Sequence, residues 1–488
     1  MTTIDTPTSP PPDLRPAVLS VVILTSVALL LGVTLKAPSQ VGANDISRWC
    51  TVWSLLERGT YQIDECPWQY KTQDKVKKPD PFATVAPGQT APEHFYSSKP
   101  PLLPTLIAGI LYPIHRITGV PLDREVTQAR QPRNVEIRND DGTSRFELQT
   151  PKDPAIWPVY VFYFKPILVL FNVVPMAILL VLYGRFLFRH APGTWPWLIS
   201  LFGTSFGLLT YSFHQTLNNH SIAAYSAFFA LYSLLRIYED DPDRPQPLHY
   251  ALAGFFGAFT ACNEVPAALF GILLFLALLI RSPRQTLIAF VPAAAVPVIA
   301  FFATQYLAMG TWRLAYEDFG TRSYRYEGSF WNTPLEMDWF NDHPESYPTY
   351  LFHMTFGHHG VFSLTPLFLF SVYGAGVLAG RRGALRPIAL MTLVLTITLI
   401  GFYLWNPKAR NYGGSTNGLR WLFWLIPFWI LTLPEGLRAT DRRRSVRTLA
   451  LTALAFSVLS VGYSLRGPWT HPWILDMLEH LDLYSLVR

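Results

Sequence analysis

The chain is poor in charge, poor in cysteine, and has no long run of like-signed side chains. Only 15% of its 488 residues are charged, against roughly 25% in ordinary soluble domains. The formal charge of +6 is spread over short arginine clusters, and without a dominant basic run a nucleic-acid-binding arm is excluded. Three cysteines are too few for a disulfide scaffold. Cys50 and Cys66 fall in one predicted outer loop and either pair in an oxidising compartment or remain separate thiols; Cys262 reads as a packed membrane thiol. No small-residue cleavage site follows residues 17–35, which therefore read as an uncleaved anchor. No internal repeat of a transporter kind is visible.

What the chain has in quantity is apolar sequence in blocks. Half of it is hydrophobic, and the blocks match the roughly 17–25 residues that cross a bilayer as a helix. They are 17–35, 157–184, 195–211, 219–236, 248–262, 264–280, 285–306, 360–380, 386–405, 417–434 and 447–464, with a shorter one at 101–114. The expectation is an all-α polytopic membrane protein with 11–12 membrane segments. Residues 1–16 read as a disordered cytoplasmic tail, 17–464 as the membrane domain and 465–488 as a short C-terminal tail.

Arginines orient the segments. Arg185 and Arg189, Arg281 and Arg284, Arg381, Arg382 and Arg386, and Arg438 with Arg442 to Arg444 and Arg447 sit in short loops, which are retained in the cytoplasm. Residues 212–220, 262–265, 307–359 and 406–416 then fall outside. The first segment also exits outward, so 101–114 is expected to dip into the outer membrane surface without crossing. Two large polar regions, 36–156 and 307–359, result on the outer face, and long structureless loops of this kind are usually functional.

Within the first loop, Ile46, Trp49, Cys50, Trp53 and Leu56 recur at helical spacing, which suits a helix at headgroup level with both tryptophans in the interface. Asp45 stands at its start, either as an N-cap or as a carboxylate facing a lipid-linked substrate. Further on, Ser98-Lys99-Pro100-Pro101 places Lys99 just ahead of a proline-initiated helix, where it either binds a phosphate or snorkels. Arg420 follows Gly413-Gly414-Ser415 and Gly418-Leu419, as a phosphate clamp or a snorkelling arginine. Glu264 lies in a very short turn, where an ionisable group is a functional candidate. His214, His220, His353, His358 and His359 are placed outside, but none of their spacings has the H-x-x-x-H form or a cysteine partner. No metal or other cofactor is expected from them; His220 and His359 read as hydrogen-bonding groups around a sugar or phosphate, or as interfacial residues. Arg322, Tyr324, Arg325 and Tyr326 belong to an aromatic stretch that suits sugar stacking or an interfacial belt.

Together, Asp45 with Arg48, Glu57-Arg58-Gly59 leading to Ile63-Asp64, and the Ser98-Lys99-Pro100-Pro101 run resemble the GT-C superfamily of membrane glycosyltransferases. The likeness is to the protein O-mannosyltransferase-like glycosyltransferase family 39 and the aminoarabinose transferases. It implies sugar transfer from a polyprenyl-phosphate carrier to an extracytoplasmic acceptor (protein, lipid or polysaccharide) at the plasma or inner membrane. Asp45 would be the catalytic acidic residue, Lys99 the carrier-phosphate ligand, and Arg48, Asn219, His220, Glu264, His359 and Arg420 substrate-binding. Ser98 stands where family members often carry an acid before the lysine, and Asn218-Asn219-His220 where many carry an aspartate; both departures weaken the case for a divalent metal. The chemistry stands without one. A phosphate leaving group needs charge stabilisation rather than protonation, so a single carboxylate acting as base suffices, and direct displacement inverts the anomeric centre. The alternatives are a transporter or flippase of a lipid-linked substrate, and a non-catalytic family member.

Overall fold

The computed structural model describes residues 13–128, 132–138, 144–149, 155–241, 245–332, 345–405 and 411–484. Most of the tail read as disordered, residues 1–12, lies outside the described residues, as do part of the 307–359 stretch and residues 406–410.

Every apolar block becomes helical. Among the described residues the helices of eight residues or more are, in chain order, α1 (Arg15–Lys36), α2 (Ala43–Glu57), α3 (Leu102–Thr118), α4 (Tyr160–His190), α5 (Thr194–Phe206), α6 (Asn219–Glu239), α7 (Pro247–Asn263), α8 (Val265–Arg281), α9 (Pro283–Met309), α10 (Tyr347–Thr355), α11 (Leu367–Ala379), α12 (Arg386–Trp405), α13 (Ile426–Gly436), α14 (Arg444–Ser464) and α15 (Trp473–His480). Six of them, α1, α4, α6, α9, α12 and α14, are long and apolar enough to cross a membrane. The remaining blocks give shorter helices: α5 has 13 residues, a rise of about 20 Å against a hydrocarbon core of roughly 30 Å. A 3-10 turn, Leu209–Gln215, continues beyond it. Proline shapes several of these helices. Pro166 lacks an amide hydrogen and clashes with the preceding turn, and a π-turn over Val169–Val173 follows it within α4.

The chain divides into two compact units, one of Met1–Lys36, Phe171–Ile299 and Leu335–Arg488, the other of Ala37–Leu170 and Ala300–Pro334. The first is a helical assembly. Ser26 on α1 donates to the carbonyl of Ser205 at 2.9 Å. α11 and α13 approach so closely that a Cβ at Gly374 would strike the Thr432 carbonyl, and one at Gly436 the Phe370 carbonyl; small residues permit such backbone contact between membrane helices. The arginine clusters find acidic partners here. Glu239 pairs with Arg189 at 2.9 Å and Arg236 at 2.7 Å, and Glu435 holds Arg381 and Arg438, each at 2.6 Å.

The second unit holds the stretch read as the first outer loop, which is far from structureless. Strands β1 (Lys75–Pro79) and β2 (Glu93–Ser97) pair antiparallel, with Lys75 opposite Ser97 and Pro79 opposite Glu93. β3 (Glu125–Gln128) pairs with β6 (Ala155–Pro158), and β4 (Arg133–Arg138) with β5 (Ser144–Gln149). Their alternation of apolar and charged residues is short and sits among polar sequence, so it carries little signal beside the membrane blocks.

A second expectation is corrected at α2. Its tryptophans do not face lipid: Trp49 is fully buried and Trp53 nearly so, and Trp49 stacks on Phe164 with ring centroids 3.8 Å apart. A helix covered on nearly all sides belongs to a core, and the aromatic start of α4 supplies the cover. α3 is the amphipathic element. Leu103, Ile107 and Leu111, on the same face at helical spacing, are buried, while Leu106, Ile110, Tyr112, Ile114 and Ile117 stay exposed.

Candidate functional site

In the second unit the site is assembled around the N-terminus of α2. Gly42 is the N-cap and Asp45 the third helical residue, not the cap itself. Its carboxylate reaches back to accept the amide hydrogens of Val41 at 2.9 Å and Gly42 at 2.7 Å, satisfying donors that a helix start leaves orphaned. Asp45 has no exposure to solvent. Burial pushes its carboxyl up to about 6, although amides of Val41, Gly42, Asp45 and Ile46 pull the other way. One turn on, Arg48 is also buried and donates to the backbone carbonyl of Asn44 at 3.0 Å.

Two neighbouring segments are stitched to this helix end. Thr72 donates its hydroxyl to the Ala43 carbonyl at 2.7 Å. Ser47 donates to the Asp74 carbonyl at 2.5 Å and lies 2.6 Å from the Ser97 hydroxyl. The Ser97 hydroxyl in turn accepts the Lys99 amide at 3.1 Å. Lys99 Nζ then pairs with Asp74 Oδ2 at 3.1 Å, both side chains largely covered, and stands 5.7 Å from the Tyr316 ring centroid. Asp74 is the residue that sequence reasoning missed. It lies in a polar loop without a cap, a repeat or a ligand spacing, and only the fold brings it to Lys99.

The two loop cysteines share this unit and are free, buried thiols. They touch: burial first, then the hydrogen bond with Cys66, pushes the Cys50 thiol up.

In the helical unit the fold joins three of the residues singled out. Asn218 caps α6 by accepting the Ser221 amide at 2.8 Å. That turns Asn219 Nδ2 onto the Asn263 carbonyl at 3.0 Å and Glu264 Oε1 at 2.6 Å, and His220 pairs with the same carboxylate oxygen. His220 also meets the edge of Phe213 (centroids 6.2 Å apart), whose ring contacts Trp469 (5.5 Å). The Arg420 guanidinium lies 4.7 Å from the Trp469 ring centroid. The stretch read as a C-terminal tail makes contact with this unit where it begins: the Gln215 side-chain amide donates to the Leu465 carbonyl at 3.0 Å.

His359 is fully buried, and burial together with His471 lowers its imidazole to about 3. It stacks on Tyr412, centroids 4.8 Å apart, and lines an apolar cavity with Leu209, Leu422, Phe423 and Trp429. Tyr412, Gly413 and Gly414 all take left-handed backbone, with φ of 54°, 89° and 80°. That conformation explains the glycine pair, and it leaves Tyr412 strained. Asp45, Arg48 and Lys99 thus belong to one compact unit, and Asn219, His220, Glu264, His359 and Arg420 to the other.

Comparison with known proteins finds likeness among solved structures. No family model matches the sequence, and neither does any curated protein. Among solved structures the chain is similar to the archaeal oligosaccharyltransferase AglB from Archaeoglobus fulgidus, determined in complex with an inhibitory peptide and a dolichol-phosphate. The TM-score is 0.42 at 11% sequence identity, over 97% of this chain, which spans 56% of the length of that one.

Proposed function

We propose that this membrane protein transfers a sugar from a polyprenyl-phosphate-linked donor to an extracytoplasmic acceptor at the plasma or inner membrane. The observation that carries the reading is the network in which one helix start holds a buried carboxylate of raised pKa and is stitched to a lysine–aspartate pair. Asp45 is the general base. The acceptor hydroxyl gives its proton to the Asp45 carboxylate as its oxygen bonds to the anomeric carbon, and the carbon–oxygen bond to the carrier phosphate breaks. A base works best with a pKa near the working pH, and burial moves Asp45 to about 6. Lys99 takes the negative charge of the departing polyprenyl phosphate, exchanging Asp74 for it. In the helical unit, Asn219, His220, Glu264, His359 and Arg420 are the groups we assign to substrate binding. Displacement in one step inverts the anomeric centre.

This mechanism requires the Val41–Gly42 backbone to release Asp45, because a base must come within about 2.6–3.2 Å of the proton it takes and Asp45 is wholly covered. That same cover favours a second reading, a non-catalytic protein in which Asp45 only fastens its helix. Transfer of radiolabelled sugar from polyprenyl-phosphate donors in proteoliposomes separates the two. Loss of transfer in Asp45→Asn and Lys99→Ala, with both variants folded, supports the enzyme; normal transfer in Asp45→Asn sinks the catalytic assignment.

A further inference from the structure

We propose that Glu345, His353 and His358 form a binding site for a divalent transition metal of the zinc class. Glu345 precedes α10, His353 occupies its last turn and His358 the turn after it. One ligand atom from each lies within 4.8 Å of the other two. Donor atoms around a tetrahedral Zn²⁺, at about 2.0–2.2 Å from the ion, stand roughly 3.3–3.6 Å apart.

The two imidazoles are stacked with centroids 4.0 Å apart and are 8% and 0% exposed. His353 Nδ1 and His358 Nε2 are buried and meet no hydrogen-bond partner among the described residues. Buried polar atoms are ordinarily satisfied, so two orphaned ring nitrogens in one cluster with a carboxylate residue call for an electrophile. The outer partners suit one. His358 Nδ1 lies 2.5 Å from His359 Nδ1; with the proton on His358 Nδ1, its Nε2 keeps a free lone pair. Glu345 accepts the hydroxyls of Tyr412 and Tyr484. Metal-bound imidazoles and carboxylates are ordinarily oriented by such second hydrogen bonds. The strained backbone of Tyr412 is held in the same place, its amide 3.4 Å from the Tyr350 hydroxyl.

Two imidazoles and one carboxylate suit a borderline ion such as Zn²⁺, whereas Ca²⁺ and Mg²⁺ call for oxygen ligands. The ion would fasten three separate stretches at one point: α10, the loop carrying Tyr412 and Gly413, and the C-terminal segment through Tyr484. A Cβ at Gly413 would stand 3.2 Å from Arg420 Nε, so the site also sets the loop that packs on Arg420. None of this depends on the transferase reading.

The test uses the full chain without a polyhistidine tag, stripped by chelator in detergent and titrated with Zn²⁺ in a calorimeter. One ion per chain is expected. His353→Ala and His358→Ala should each weaken binding by more than Tyr412→Phe, which removes an outer partner and should cost roughly 10–100-fold. Unchanged Zn²⁺ affinity in both histidine variants, or no binding by the wild type, overturns the proposal. Should the alanine variants fail to fold, the Co²⁺ form of the wild type decides: a tetrahedral ligand-field spectrum that Glu345→Gln alters supports the site, and an octahedral aqua-ion spectrum overturns it.

Discussion

At the scale of single residues, Asp45 and Lys99 are where the fold and the proposed chemistry meet. Burial raises the Asp45 carboxyl from 3.8 to about 6, so between those values the folded protein binds a proton that the unfolded chain does not. Stability is then greatest below the unfolded value, falls as pH rises through about 6, and levels off above it. The difference amounts to about 3 kcal/mol. Thermal unfolding in detergent from pH 4 to pH 7 should show that decline in the wild type and a flatter profile in Asp45→Asn; identical slopes would remove the titration from this residue. Lys99 is tested against its partner. Lys99→Ala leaves Asp74 covered and unpaired, a loss of about 1–3 kcal/mol, and should reduce transfer by about 10²–10³, the usual effect of removing one charge-stabilising donor. Adding Asp74→Asn should recover stability without recovering transfer. Recovery of both would make the lysine purely structural. Asp45 was legible because a carboxylate opening an amphipathic run is a pattern; Asp74 was not, because its importance lies in what the hairpin and the Ser97 hydroxyl place beside it.

Among elements, close backbone crossings do much of the work in the helical unit. Gly436 faces the Phe370 carbonyl and Gly374 the Thr432 carbonyl with no room for a side chain. Gly436→Val should therefore lower stability by about 1–3 kcal/mol or more, read as a drop in unfolding temperature in detergent. The exposed Gly376, whose added Cβ would meet nothing within 4 Å, supplies the control: Gly376→Ala should leave the temperature unchanged. Helix α2 teaches the opposite lesson. Its periodicity identified it as a helix, yet the same tryptophan stripe suits a lipid surface or a protein core, and only Phe164 stacking on Trp49 decides between them. The hairpins of the 36–156 stretch were lost for a related reason, since strands of four to six residues leave too short a period to stand out.

For the whole molecule, orientation is the open question that arginine placement answers by proposal. With α1 leading outward and α3 remaining at the outer surface, a reporter fused after Pro151 should be active on the extracytoplasmic side. A cytoplasmic signal would mean that α3 crosses the bilayer. α3 has 17 residues, a rise of about 25 Å, and its exposed apolar face suits lipid contact in either arrangement.

The sequence by itself determined that this is a helical membrane protein, because runs of apolar side chains must leave water and a backbone in lipid must satisfy its own hydrogen bonds. It also singled out Asp45, Lys99 and the Asn219–His220 pair, which stand at helix starts where local chemistry is readable. What only the tertiary structure decided is which of these groups meet. Glu264 joins Asn219 and His220 across two helix ends, Asp74 joins Lys99 across a loop, and Glu345 joins His353 and His358 under two tyrosines from distant parts of the chain. Hydrophobic patterning acts through near neighbours and survives in one dimension, whereas paired charges and ligand sets depend on distances that the packed chain alone sets.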